Sequence, residues 1–181
     1  MDKKLSGKAQ TVLGLIDGGE LGFTLPHEHL LVDLSVRFKL LDESMSIRVM
    51  SQKPVCLETL GWVRFHAFEN IDNLRLDDEE MMIKEALLYK RAGGQTIVDM
   101  TNQGLACDPH ALARISRATG LNIIMGSGYY TVDSSCGPKL KDRTEREIVD
   151  NIVTDIMVGT DGICAGMIGE IGADSWPLDN D

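Results

Sequence analysis

The chain has 181 residues, 43% of them hydrophobic and 25% charged, with 28 acidic against 18 basic side chains and a formal net charge of -10. Such composition is ordinary for a globular protein with room for one domain and a substantial core, which excludes disordered and collagen-like classes. The negative charge argues against non-specific nucleic-acid binding and favours local retention of cations, so small-molecule partners are expected.

The start, Met1-Asp2-Lys3-Lys4-Leu5-Ser6-Gly7-Lys8, is polar with no apolar h-region after it. No apolar run approaches the roughly 18 residues that span a bilayer. The expectation is an unsecreted, cytoplasmic protein with no membrane partner. Cys56, Cys107, Cys136 and Cys164 lie far apart without a Cys-x-x-Cys pair and read as free thiols of a reducing cytosol.

Val12 to Phe23, with Asp17-Gly18-Gly19 in its middle, reads as a small hairpin ahead of the first core strand. His27-Glu28-His29 then joins two apolar stretches, Leu21 to Leu25 and Leu30 to Val32. Residues two apart on a strand share a side, so His27 and His29 converge while Glu28 faces away, which suits a divalent metal. The alternative is a pair of hydrogen-bonded strand histidines. From Leu34 to Phe68 the pattern is mixed, and Pro54 precedes a helix expected over about 55 to 68 that would carry His66.

Asp77 with Glu80 is a capping signal for a helix from about 78 to 92, with Met81, Met82, Ala86, Leu87 and Leu88 among its apolar residues and Gly93-Gly94 ending it. Gln95 to Thr101 is a short β-branched run that reads as a buried strand, with Asp99 structural. Asp108-Pro109 caps a helix bearing Leu112, Ile115 and Ala118 on one face, stopped near Gly120 and with His110 in its first turn. Neither His66 nor His110 is expected to be a ligand. Leu121 to Tyr130 is the next strand. Thr144-Glu145-Arg146-Glu147 has capping-box spacing before an apolar stripe of Ile148, Ile152, Ile156 and Met157, and Ala165 to Ile171 follows as a further strand. Alternating strand and helix periods are the sequence form of an α/β protein with parallel strands.

Three stretches together resemble the phosphotriesterase family of the amidohydrolase superfamily, most closely its phosphotriesterase-related branch. They are Gln10-Thr11-Val12-Leu13-Gly14 with Leu21-Gly22-Phe23-Thr24-Leu25-Pro26-His27-Glu28-His29-Leu30; Gly93 to Thr101 continuing through Thr119 to Tyr130; and Ala165-Gly166-Met167-Ile168-Gly169-Glu170-Ile171-Gly172. The resemblance implies a TIM (β/α)8 barrel with metals at the C-terminal strand ends, of which this chain is the N-terminal half: a hairpin segment over 1–24, then about four strand-helix units over 25–181, one incomplete metallo-hydrolase domain.

It also implies two zinc ions or similar divalent metals per complete domain, with His27, His29 and Glu170 as ligands and Glu170 as the catalytic bridge. A hydroxide held between the ions would attack an ester, phosphotriester, lactone or N-acyl amide. Read without the family, a lone acid such as Glu170 in an apolar strand is more often a structural ion-pair member. Tyr130, in phase with Gly126 and Gly128, is a substrate-pocket wall or a filler at a strand end. One departure is Cys107 in Gly104-Leu105-Ala106-Cys107-Asp108, where family members often carry a basic residue.

The resemblance places two further histidines and an aspartate beyond Asp181, and Trp176-Pro177-Leu178-Asp179-Asn180-Asp181 reads as the start of a loop. The expectation is therefore a fragment, truncated isoform or incomplete gene model, without catalysis by the 181 residues alone. The alternative function is a non-catalytic product with a partial metal site that acts only through association. Open strand edges would favour pairing with a second copy.

Overall fold

A computed structural model describes residues 5–41, 44–130 and 140–172. The N-terminal hairpin, β1 (Lys8–Thr11) and β2 (Gly14–Asp17), turns at Val12-Leu13 and not at Asp17-Gly18-Gly19. The Thr11 hydroxyl sets that position: it donates to the Gly14 carbonyl at 2.8 Å and accepts from the Leu13 N–H at 3.2 Å. Asp17 opens a 3-10 turn instead, its N–H donating to the Glu20 carboxylate at 2.8 Å. The hairpin lies across the sheet's N-terminal end, where the Val12 N–H donates to the Ile123 carbonyl. A Cβ on Gly166 would come within 2.2 Å of the Gln10 carbonyl, so this close approach requires a glycine.

After β3 (Thr24–Glu28) the chain makes a long excursion through β4 (Val32–Asp33), α1 (Met45–Ser51), α2 (Leu57–Val63) and β5 (Arg75–Leu76), with β4 and β5 antiparallel. The helix expected over 55–68 is thus only α2, and His66 lies beyond its end. The cause is Glu69, whose buried carboxylate accepts from the Leu41 N–H at 3.1 Å and engages His66 Nδ1 at 2.8 Å, drawing the chain into a 3-10 turn.

Helix α3 (Glu79–Arg91) is capped by Asp78, whose side chain accepts from the Met81 N–H at 2.9 Å; Asp77 lies one residue too early. Strand β6 (Thr96–Asp99) is buried at all four positions. Helix α4 (Pro109–Thr119) starts as its sequence implies, with Asp108 accepting from the Ala111 N–H. Its buried stripe runs through Leu112, Ile115, Ser116 and Thr119, while Ala118, expected on that face, is exposed. Thr119 is accommodated there because its hydroxyl donates to the Ile115 carbonyl at 2.8 Å.

Strand β7 (Asn122–Ser127), helix α5 (Glu145–Met157) and strand β8 (Met167–Ile168) complete the order. Thr144 caps α5, Ile148, Ile152 and Ile156 are half-buried, and Met157 turns outward. Strands β3, β6, β7 and β8 run parallel in that order. The two later strands are shorter than the apolar runs 121–130 and 165–171. Beyond Ile168 the chain leaves the ladder and crosses β7, the Gly169 N–H donating to the Ser127 carbonyl and the Glu170 N–H to the Met100 carbonyl.

Ile97, Leu112, Ile115, Leu121, Ile123 and Ala165 form the packed centre between strands and helices. The architecture is the N-terminal half of a (β/α)8 barrel, four strands after a hairpin. No helix among the described residues is long and apolar enough to cross a membrane. Cys56, Cys107 and Cys164 are free thiols, while Cys136 and the stretch Trp176 to Asp181 lie outside the described residues.

Candidate metal centre

The alternation of β3 delivers His27 within the strand and His29 one residue past its end, on the same side, with ring centroids 5.4 Å apart. Glu170 arrives from the opposite edge of the sheet. His27 Nε2 lies 2.8 Å from Glu170 Oε2, and His29 Nε2 lies 3.6 Å from Glu170 Oε1. One ligand atom from each of the three residues falls within 4.8 Å of the others. Three strand spacings of about 4.8 Å would separate flat outer strands by about 14 Å, so this meeting requires a curled sheet and a chain that reaches inward after β8. Gly126 permits that reach, since a Cβ there would meet the Gly169 carbonyl at 2.2 Å.

The end of β6 braces both sides of the cluster. Asp99, fully buried, accepts from the Leu30 N–H at 2.7 Å and the Thr101 N–H at 3.0 Å, which fixes the backbone immediately after His29. The Thr101 hydroxyl sits 3.0 Å from His29 Nδ1. Asn102 donates to the Glu170 carbonyl at 2.7 Å, opposite the Glu170 N–H bond to Met100. The expectation of a structural Asp99 agrees with this position. Thr101 and Asn102 were not legible as site residues, because a strand-end hydroxyl or amide carries no motif.

Burial pushes the His29 imidazole below its ordinary pKa, only partly opposed by the Glu170 carboxylate, and so favours the neutral form that can bind a metal. With Nε2 as a ligand, Nδ1 carries the proton and donates to Thr101. Two imidazole nitrogens and a carboxylate are a fitting donor set for zinc or a similar borderline cation.

Tyr130 lies on the same C-terminal side. Its carbonyl accepts from the Gly172 N–H, two residues past Glu170, and the Arg37 guanidinium lies 5.2 Å from its ring centroid. His66 and His110 stand apart from the cluster, paired with Glu69 and with Asp161. Cys107 follows Ala106, which is in the left-handed region at φ 66°, and burial pushes its thiol far above the ordinary range. Burial at that position disfavours the thiolate.

A parallel β/α half-barrel whose C-terminal strand ends gather two histidines and a carboxylate able to hold a metal ion is the architecture of a TIM-barrel protein. The phosphotriesterase family model matches residues 7–180, and the chain belongs to that family. It is 40% identical over 177 residues to a phosphotriesterase-related protein of Nematostella vectensis, covering 96% of this chain and 50% of that protein. It is 38% identical over 177 residues to the N-acetyltaurine hydrolase of Homo sapiens, with the same two coverages. A resiniferatoxin-binding protein from Rhodobacter sphaeroides superimposes with a TM-score of 0.85 and 37% identity over 93% of this chain and 47% of that one. The chain spans about half the length of the curated relatives it matches.

Proposed function

We propose that the domain containing these residues is a metal-dependent hydrolase in which His27 and His29 bind zinc and Glu170 bridges two ions. One observation carries the reading: donors from the two outer strands of the sheet meet within 4.8 Å at its C-terminal end. When bound, the ions supply Lewis acidity toward a carbonyl or phosphoryl oxygen and activate a water. The chain's own residues orient and exclude. Thr101 holds the His29 ring through Nδ1, and Asn102 and the Met100 carbonyl hold the backbone of Glu170; in this reading Tyr130 is a wall of the substrate pocket.

The substrate is a small molecule with an N-acyl amide, ester, lactone or phosphotriester bond, and the setting is the cytoplasm. The name of the human relative makes an N-acyl amide the first to test. The test is zinc content and N-acetyltaurine hydrolysis by the purified chain supplied with zinc. About two ions per chain and turnover that disappears in His27→Ala support the reading. Content below one ion per chain with no turnover overturns catalysis by these residues alone, and a zinc content left unchanged by His27→Ala overturns the ligand assignment.

A further inference from the structure

Between β4 and β5 the chain places six large apolar side chains in solvent: Leu41, Met45, Val49, Leu57, Phe65 and Phe68 are 49 to 88% exposed. Leu41, Phe65 and Phe68 line one open cavity of about 450 Å³. Met45 and Val49 follow one turn apart on α1, four and eight residues after Leu41, and Leu57 opens α2. Phe65 extends the turn of α2, its N–H donating to the Trp62 carbonyl. It lies eight residues after Leu57 with the exposed Gly61 midway, so Leu57 and Phe65 share a side.

Hydrogen bonds tie these segments into one body. The buried Glu69 carboxylate accepts from the Leu41 N–H at 3.1 Å and engages His66, the neighbour of Phe65, at 2.8 Å, while the Lys39 N–H donates to the Phe68 carbonyl at 3.0 Å. Asn70 donates to the Met50 and Lys53 carbonyls and Asp72 accepts from the Val55 N–H, which fixes the end of α1 and the approach to α2 against the same turn. His66 lies flat on Trp62, ring centroids 4.4 Å apart. A surface fixed in advance gives up little conformational entropy when it docks.

At these fractional exposures, six side chains of ordinary size leave about 900 Å² in solvent. The largest apolar patch of a monomer is typically about 300–600 Å², and a stable interface buries about 800 Å² on each partner. Charge selects the partner. Residues 34–74 hold five basic and five acidic side chains, so this segment is neutral while the rest of the chain carries the whole net charge of -10. A neutral face offers nothing to a nucleic acid or an anionic membrane. Two acidic copies, however, repel each other least where such segments meet, and a face of balanced charge can pair with itself about a two-fold axis. We propose that this face is a homodimer interface, in which a second copy of the chain packs its Leu57, Phe65 and Phe68 against the same residues here. The contact lies in the excursion and not at the open edges of β3 and β8.

The test is sedimentation equilibrium of the full chain from about 1 to 100 µM, the range in which an interface of this area is at least partly formed. The expected result is twice the chain mass for the wild type, with the dimer at least about 100-fold weaker in Phe65→Asp and in Leu57→Asp, because two-fold symmetry counts each substitution twice. Both side chains are 88% exposed, so helical circular dichroism is expected to be unchanged, and if one variant unfolds the other decides. Val153→Asp, at a 51% exposed position on α5, is the control that leaves the dimer intact. A wild-type chain of single mass at about 100 µM overturns the proposal and leaves the face to another partner. A dimer kept in a folded Phe65→Asp or Leu57→Asp chain, or lost in Val153→Asp, overturns it as well and moves the contact to the barrel.

Discussion

Thr101 touches His29 through a single hydroxyl, yet that contact selects which ring nitrogen faces Glu170. Replacing it with the near-isosteric valine is expected to lower zinc affinity about 10- to 100-fold, while Thr101→Ser keeps it. A cobalt-loaded chain makes the comparison visible by its absorption spectrum, and an unaltered affinity in Thr101→Val would exclude the positioning role. Asp99 adds a pH dependence. Burial pushes its carboxyl up to about 6 from 3.8, against the pull of its bonds to Leu30 and Thr101. The native state holds that proton more tightly than the unfolded chain, so the contribution is fully present below pH 3.8 and is lost as pH rises through about 6. The loss reaches about 3 kcal/mol at most. Denaturation of the metal-free chain at pH 4 and pH 7 should show this decrement in the wild type and not in Asp99→Asn. An equal decrement in both would assign it elsewhere.

Among the elements, Gly126 is where strand packing and site assembly meet. Gly126→Ala pushes a methyl into the Gly169 carbonyl and is expected to cost about 1–3 kcal/mol. Zinc affinity should drop to that of Glu170→Ala, with helical circular dichroism retained; full zinc affinity in Gly126→Ala would refute the crossing role. The run from α3 through β7 was legible from sequence because each element there pairs a strong period with a strong stop: Asp108-Pro109 before α4, Gly120 after it. The sequence misleads where two local signals compete within a residue or two. Asp78 outcompetes Asp77 because its carboxylate reaches the Met81 N–H, and Thr11 outcompetes Asp17-Gly18-Gly19 because a hydroxyl closes the earlier turn. The apolar runs overstate strand length because apolar residues continue past the last ladder bond into the crossing segment.

For the whole molecule, the excursion between β3 and α3 was the least legible part. Its turns are held by side chains bonding to distant backbone, which leaves no period to read. Asn70, fully buried, donates to the Met50 and Lys53 carbonyls, and Asp72 accepts from the Val55 N–H. The candidate site divided along the same line: His27 sits on β3, and His29 and Glu170 lie just past strands in patterned apolar runs, while Thr101 and Asn102 follow β6 without a motif. Zinc at 100 times its dissociation constant should stabilise the folded chain by about 2.7 kcal/mol, seen as a rise in Tm that is absent in His27→Ala. No rise in the wild-type chain would mean that the cluster binds no ion in the native state.

The candidate ligands come from β3 and from the chain beyond β8, the two outer strands of the sheet. An ion held there is a clasp between the ends of an open arc. Linkage then runs both ways: whatever bends the arc inward tightens the grip on the ion, and whatever relaxes it loosens that grip. Metal affinity is therefore a gauge of sheet curvature, and it should weaken in denaturant concentrations too low to unfold a single helix.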